Sequence, residues 1–328
     1  MLKLKYLFEN FDLAKNCIQY WEHDPASLSE TLGWFRISSN AIYPFRQGDG
    51  LCFLRLCPAA EKQLADVADE IAVIRWLRQE GFAAMEPVPM KDGRDCALLA
   101  TPWGDYVVSC FRQVEGQPVE DTPASAAIVT GYGRCLGQLH RLLERCPHGQ
   151  ARRGHEAWLD EAQARMLAAH APLAMVDCLW EARCQLAKLP RTETNYGLIH
   201  YDFEPDNVFV QPETGQFSVI DFDDMMQGWH ALDVVRALDG LEELPPGDGP
   251  LTRHEKEALF LAGYRSQHAF TPAEEASLPL MRRLVQLTEY AGLLYVLEED
   301  VPDAPEWMVH LRSRLTAKLR WLEEQLLG

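Results

Sequence analysis

The sequence predicts an α+β chain of two lobes: a small antiparallel β lobe carrying one helix, and a larger, mostly helical lobe. Three observations predict it. Strand-like stretches with Gly/Asp turns crowd into the first third of the chain. Helical periodicity dominates after the connector Glu115-Gly116-Gln117-Pro118. One short β-rich island, near 196–224, interrupts the helices. The length, 328 residues, suits two domains. The connector places their boundary between 1–115 and 116–328.

Residues 4–20 put Leu4, Leu7, Phe8, Phe11, Ala14 and Ile18 on one helical face. Two strands follow around Gly48-Asp49-Gly50, a hairpin signal. A helix over 61–80 turns Val67, Ile71, Ile74 and Leu77 inward and stops at Gly81. Further strands flank the turn Lys91-Asp92-Gly93, so the first third reads β-β-α-β-β. Beyond the connector, periodicity predicts helices over 124–144, 155–170, 174–188, 231–239, 254–268, 276–300 and 306–326. Leu244 to Pro250 is a Pro/Gly loop.

Composition narrows the function classes. Apolar residues make up 47%, enough for a full core. The net charge is −18, which argues against a protein that coats nucleic acid or binds an anionic membrane through Lys/Arg contacts. Residues 1–115 carry 12 basic and 16 acidic side chains, and residues 116–328 carry 19 and 33. The acidic second lobe fits a solvated surface, and it also fits steering of a cationic small molecule. The first residues include acids and no apolar run, so no secretory leader is expected. Nine cysteines without C-x-x-C spacing read as reduced thiols of a cytoplasmic protein.

The β-rich island carries the chemistry. His200-Tyr201-Asp202 is followed by Asn207, then by the strand Val208-Phe209-Val210. The turn Glu213-Thr214-Gly215 leads to Phe217-Ser218-Val219-Ile220 and Asp221-Phe222-Asp223-Asp224. An antiparallel hairpin brings Asp202 and Asn207 beside Asp221. Three oxygen-bearing side chains then meet at one mouth, a set that suits Mg²⁺. By composition alone, the pattern H-x-D-x₄-N arises about 0.01 times in such a chain.

This segment resembles the catalytic segment of the aminoglycoside phosphotransferase and choline kinase-like superfamily, which has the protein-kinase-like fold. The resemblance spans both lobes and is closest in H-x-D-x₄-N and Asp-Phe-Asp. It implies a kinase that uses ATP and Mg²⁺. Asp202 would orient the acceptor hydroxyl and accept its proton. Asn207, Asp221 and Asp223 would hold the metal. His200 would brace the loop, and Asp233 would hydrogen-bond it from the start of a helix. Kinases use a strand Lys for the α/β-phosphates, but none lies between Lys15 and Lys62. Arg55 stands in the matching strand, with Glu70 as its partner. Ser39 falls where a phosphate-covering loop would sit, and Gln113 and Val114 fall at the adenine-binding connector.

Only eleven residues separate Asp221 from Asp233, which leaves little room for a peptide-docking segment and favours a small-molecule hydroxyl acceptor. Amino alcohols, aminoglycosides and homoserine-like molecules fit this class. Acids after residue 240 (Glu242, Glu243, Glu289, Glu298, Glu299, Asp300) are available to an amine. Two alternatives remain open on sequence: a bacterial stress-response-type Ser/Thr protein kinase, and a nucleotide-binding regulatory protein without catalysis. The sequence gives no oligomeric state.

Overall fold

The structure, a computed structural model, describes residues 10–37, 40–298 and 304–328. The first helix, α1, runs Phe11–Ile18, capped by Asn10, whose side chain accepts from the Leu13 N–H at 2.8 Å. The rest of its predicted N-terminal half lies outside the described residues. A short helix α2, Leu28–Thr31, leads into the sheet. Its strands are β1 (Arg36–Ile37), β2 (Ala41–Gln47), β3 (Gly50–Pro58), β4 (Glu86–Pro87), β5 (Cys96–Thr101) and β6 (Gly104–Arg112). All pair antiparallel in the order β1-β2-β3-β6, with β4 and β5 both against β6. Between β3 and β4 runs α3 (Leu64–Gln79), ended by Gly81 at φ 83°.

The β2–β3 hairpin closes where predicted, with Gln47 opposite Gly50 and Gly48 at φ 60°. The second turn differs from expectation. Lys91-Asp92-Gly93 does not join two paired strands. It caps a detour between β4 and β5, which lie end to end along one edge of β6. The hairpin turn is at Pro102-Trp103, where the Thr101 hydroxyl donates to the Gly104 carbonyl at 2.7 Å.

The larger lobe contains α4 (Ala126–Leu143), α5 (His155–Ala168), α6 (Leu173–Leu186), α7 (His230–Gly240), α8 (Arg253–Arg265), α9 (Pro272–Leu297) and α10 (Glu306–Leu327). The strand β7 (Gln117–Pro118) pairs with β9 (Val208–Gln211), itself paired with β10 (Gln216–Val219). β8 (Tyr196–Ile199) pairs with β11 (Met226–Trp229), a strand that local periodicity did not reveal. α9 starts before its predicted first turn because Thr271 and Glu274 form a capping box, with Pro272 at the first helical position.

Among the described residues, buried apolar side chains form two clusters. One, with Trp21, Phe45, Leu54 and Cys110, fills the outer face of the sheet under α1. The other runs from Ile71 and Phe111 through the hairpin into the helices, so α3 shares a core with the large lobe. Within it α4 and α8 approach closely. A Cβ at Gly133 would strike the Phe260 carbonyl, and one at Gly263 the Thr130 carbonyl. No described helix is long and apolar enough to cross a membrane.

Candidate active site

The β9–β10 hairpin aligns Val208 with Val219, and the Ile220 N–H donates to the Asn207 carbonyl at 2.9 Å. This places Asn207 beside the Ile220-Asp221 step, as the spacing predicts. The Asn207 amide then donates to the Asp202 carboxylate at 2.8 Å and to its carbonyl at 3.0 Å. His200 closes the same ring of contacts. Its Nε2 lies 3.0 Å from the Ile220 carbonyl, which can only accept, so Nε2 carries the hydrogen. Nδ1 accepts from the Asp202 N–H at 3.2 Å. Complete burial lowers the pKa of His200, in keeping with this neutral tautomer.

Asp233 holds the loop from below. Its carboxylate accepts from the Tyr201 N–H at 2.7 Å, the His200 N–H at 2.9 Å and His140 Nε2 at 3.0 Å. Tyr201 sits at φ 64°, a conformation these two N–H bonds help to fix. Its ring lies 4.4 Å from the Arg236 guanidinium, which also reaches Glu204 at 2.5 Å and Asp202 at 3.4 Å. Arg236 thus brings a cation to Asp202. It was legible as a residue on the same α7 face as Asp233, three positions on, but nothing in the sequence ties it to Asp202.

Asp221 ends β10 in the left-handed region, at φ 59° and ψ 61°. Among the described residues its carboxylate has no hydrogen-bond or ion-pair partner. Burial pushes Asp202 up to about 8 and Asp221 up to about 6, and neighbouring Asp224 adds to both. Carboxylates crowded in this way gain most from a cation. Asn207, Asp221 and Asp202 therefore fit a hard divalent metal in donor type.

The small lobe answers with cations. Arg55 meets Glu70 through two parallel bonds of 2.8 and 2.7 Å and donates to Ser109 at 3.1 Å. Both charged groups are buried, and the guanidinium lies 4.8 Å from the Phe111 ring. Asp223, expected with the metal ligands, instead faces the small lobe. It contacts Arg55 at 3.7 Å, accepts from the Asn40 amide at 3.0 Å and pairs with Lys62. Lys62 was missed: the sequence brackets a gap that ends at Lys62, but only the fold turns it toward Asp223.

At the connector the Gln113 N–H already donates to the Leu51 carbonyl at 2.9 Å. Ser39 lies outside the described residues, as do Glu299 and Asp300. A cavity of about 600 Å³ opens beside Asp202, walled by Lys62, Trp158, Glu161, Thr288, Glu289 and Leu293. Of the acids after residue 240, Glu289 lines it, while Glu242 pairs with Arg253 at 2.6 Å beside a separate hollow.

The amicoumacin kinase of Bacillus subtilis (strain 168) is 23% identical over 265 residues, 79% of this chain and 78% of that protein. The amicoumacin kinase hAmiN, solved with AMP-PNP, Ca²⁺ and Ami, superposes with a TM-score of 0.77 at 18% identity, covering 98% of this chain and 95% of that one. The microcompartment-associated aminopropanol kinase superposes with a TM-score of 0.69 at 22% identity, covering 97% and 98%. Residues 38–270 match the phosphotransferase enzyme family, and the chain belongs to that family.

Proposed function

We propose that the protein is an ATP- and Mg²⁺-dependent kinase that transfers the γ-phosphoryl group to a hydroxyl of a small, amine-bearing molecule. The observation that carries this is the position of Asp202. Its carboxylate is held by Asn207 and Arg236 at the lip of the cavity, with the metal-type donors behind it. A hydroxyl in that cavity would hydrogen-bond to Asp202, which aligns it and takes its proton as the new P–O bond forms. Arg55 and Lys62 would draw the phosphates, and nucleotide oxygens would displace Asp223 from them. Asn207 and Asp221 would hold Mg²⁺, which when bound neutralises charge on the phosphates. Val114 would offer its N–H to the base, beside Gln113, and Ser39 would cover the phosphates. The domain division stays at 115/116.

Names of relatives support a small acceptor: two are amicoumacin kinases and one is an aminopropanol kinase, a name that carries an amine and a hydroxyl. Carboxylates outnumber cations along the cavity wall, which supports a cationic acceptor. The segment after Asp221 supports the same reading: β11 pairs with β8, so it is taken up in the sheet rather than offered to a peptide. This reading places the chain in the cytoplasm with its nine thiols free, and gives no role to nucleic acid or a membrane. An ATP-consumption screen over amino alcohols, aminoglycosides, sugars and homoserine tests it. Turnover with an amine-bearing alcohol is expected. ATP binding without turnover on any acceptor would instead favour a regulatory protein. In calorimetry, Asn207→Ala combined with Asp221→Ala should remove the Mg²⁺-dependent part of ATP binding, and unchanged binding would refute the metal assignment.

A further inference from the structure

Behind the catalytic loop lies a cluster of buried histidines that phosphotransfer does not use. Glu144 caps α4, His230 opens α7, and His268 follows α8. One ligand atom from each lies within 4.8 Å of the others. His230 and His268 are 1% and 7% exposed, whereas Glu144 reaches solvent.

The hydrogen bonds determine the state of His268. Its Nδ1 is 2.8 Å from the Ala269 carbonyl, which only accepts, so Nδ1 carries a hydrogen. The neighbouring chain agrees: His140 Nε2 donates to Asp233, so its Nδ1 accepts from the Tyr264 hydroxyl at 2.7 Å. That leaves the Tyr264 oxygen to accept from His268 Nδ1 at 3.2 Å. Neutral His268 therefore aims the lone pair of Nε2 at the Glu144 carboxylate, 2.9 Å away. Two acceptors face each other, and only a proton or a metal cation satisfies both.

His230 decides between them. Among the described residues neither of its ring nitrogens completes a hydrogen bond, although the main chain of Thr194 is near. A proton between His268 and Glu144 would leave His230 unserved. One divalent cation would serve all three. The Ala269 carbonyl beside His268 Nδ1 is the outer contact that orients metal-bound imidazoles.

We infer that Glu144, His230 and His268 form a binding site for a zinc-type divalent cation that ties α4, α7 and the end of α8 together. Two imidazoles and one carboxylate suit Zn²⁺, with water in the fourth position. Bonds of about 2.0–2.2 Å require the three ligand atoms to draw together, and exposed Glu144 is the side chain able to move. The clamp would fix α7, whose Asp233 holds the catalytic loop. The inference is independent of the kinase reading.

The test uses the full chain, stripped with a chelator and dialysed against Zn²⁺ or Co²⁺. One metal per chain is expected, with Co²⁺ absorption in the visible range and no thiolate charge-transfer band. Asp221→Asn, which disables the proposed Mg²⁺ site, should bind equally well. Glu144→Gln, a surface change that leaves folding testable, should weaken binding by at least the roughly 10–100-fold that loss of an outer contact costs. His230→Phe should remove binding, and Zn²⁺ should raise the melting temperature of the wild type but not of Glu144→Gln. Absence of bound metal in the wild type, or equal binding by Glu144→Gln, would overturn the proposal and leave a protonated His268–Glu144 ion pair.

Discussion

Two halves of the site are built in contrasting ways. The catalytic loop under Asp202 is held by directional hydrogen bonds within the large lobe: Asp233 to two backbone N–H groups, His200 to Ile220, Asn207 to Asp202. The phosphate-facing side of the small lobe is held by charge. Arg55 is locked to Glu70, while Asp223 from the large lobe draws in Arg55, Lys62 and Asn40. Under the proposed function the difference would suit the task. A group that orients an acceptor must keep its geometry through turnover. Cations that meet ATP would have to exchange one set of oxygens for another, and a carboxylate such as Asp223 would be a replaceable partner for them.

The comparison can be tested from both sides. The largest effect is expected at Asp202. Asp202→Ala should lower phosphotransfer by at least about 10²–10⁴-fold, while calorimetry shows ATP·Mg²⁺ still bound. Near-wild-type turnover of the true acceptor would remove Asp202 from the mechanism. Next comes Arg55→Ala, which leaves Glu70 charged, buried and unpaired. It should cost about 3–5 kcal/mol in urea unfolding, and Arg55→Lys should recover part of that loss but not the bidentate geometry. A stable Arg55→Ala protein would show that the small lobe does not depend on this pair.

Asp233→Asn is gentler. It sets an amide donor against donors, at about 1–3 kcal/mol, and should lower kcat more than it changes the KM for ATP. An equal rise in KM for ATP would show that the two halves are not separable. The smallest change is Glu289→Gln at the cavity wall, where Lys318 already pairs with the carboxylate. It should raise the KM of an amine-bearing acceptor by about the 0.2–1 kcal/mol of an exposed ion pair and flatten its salt dependence. An unchanged KM would remove Glu289 from acceptor recognition.

Legibility followed distance along the chain. The H-x-D-x₄-N spacing and the turn at Glu213-Thr214-Gly215 are local, so the meeting of Asp202, Asn207 and Asp221 could be read directly. The Arg55–Glu70 pair came from the family resemblance, which implies a strand cation and an acid on the following helix. The hairpin turn at Pro102-Trp103 was missed because Lys91-Asp92-Gly93 is an equally good turn sequence. Only pairing with β6 decides between them. β11 was missed because four residues show no decisive period, and its partner β8 is far upstream.

By itself the sequence determined the lobes, the order of the longer elements and the donors at the hairpin mouth, since all of these depend on period, turn chemistry and short spacing. The tertiary structure alone decided that Asp223 faces Lys62 and Asn40, that Arg236 reaches Asp202, and that His140 joins Asp233. It also decided that Glu144, His230 and His268 converge. Each of these contacts links elements distant in the chain. What selects them is the packing of α4 against α8 and the burial of charges that must find partners, and neither leaves a mark on local sequence pattern.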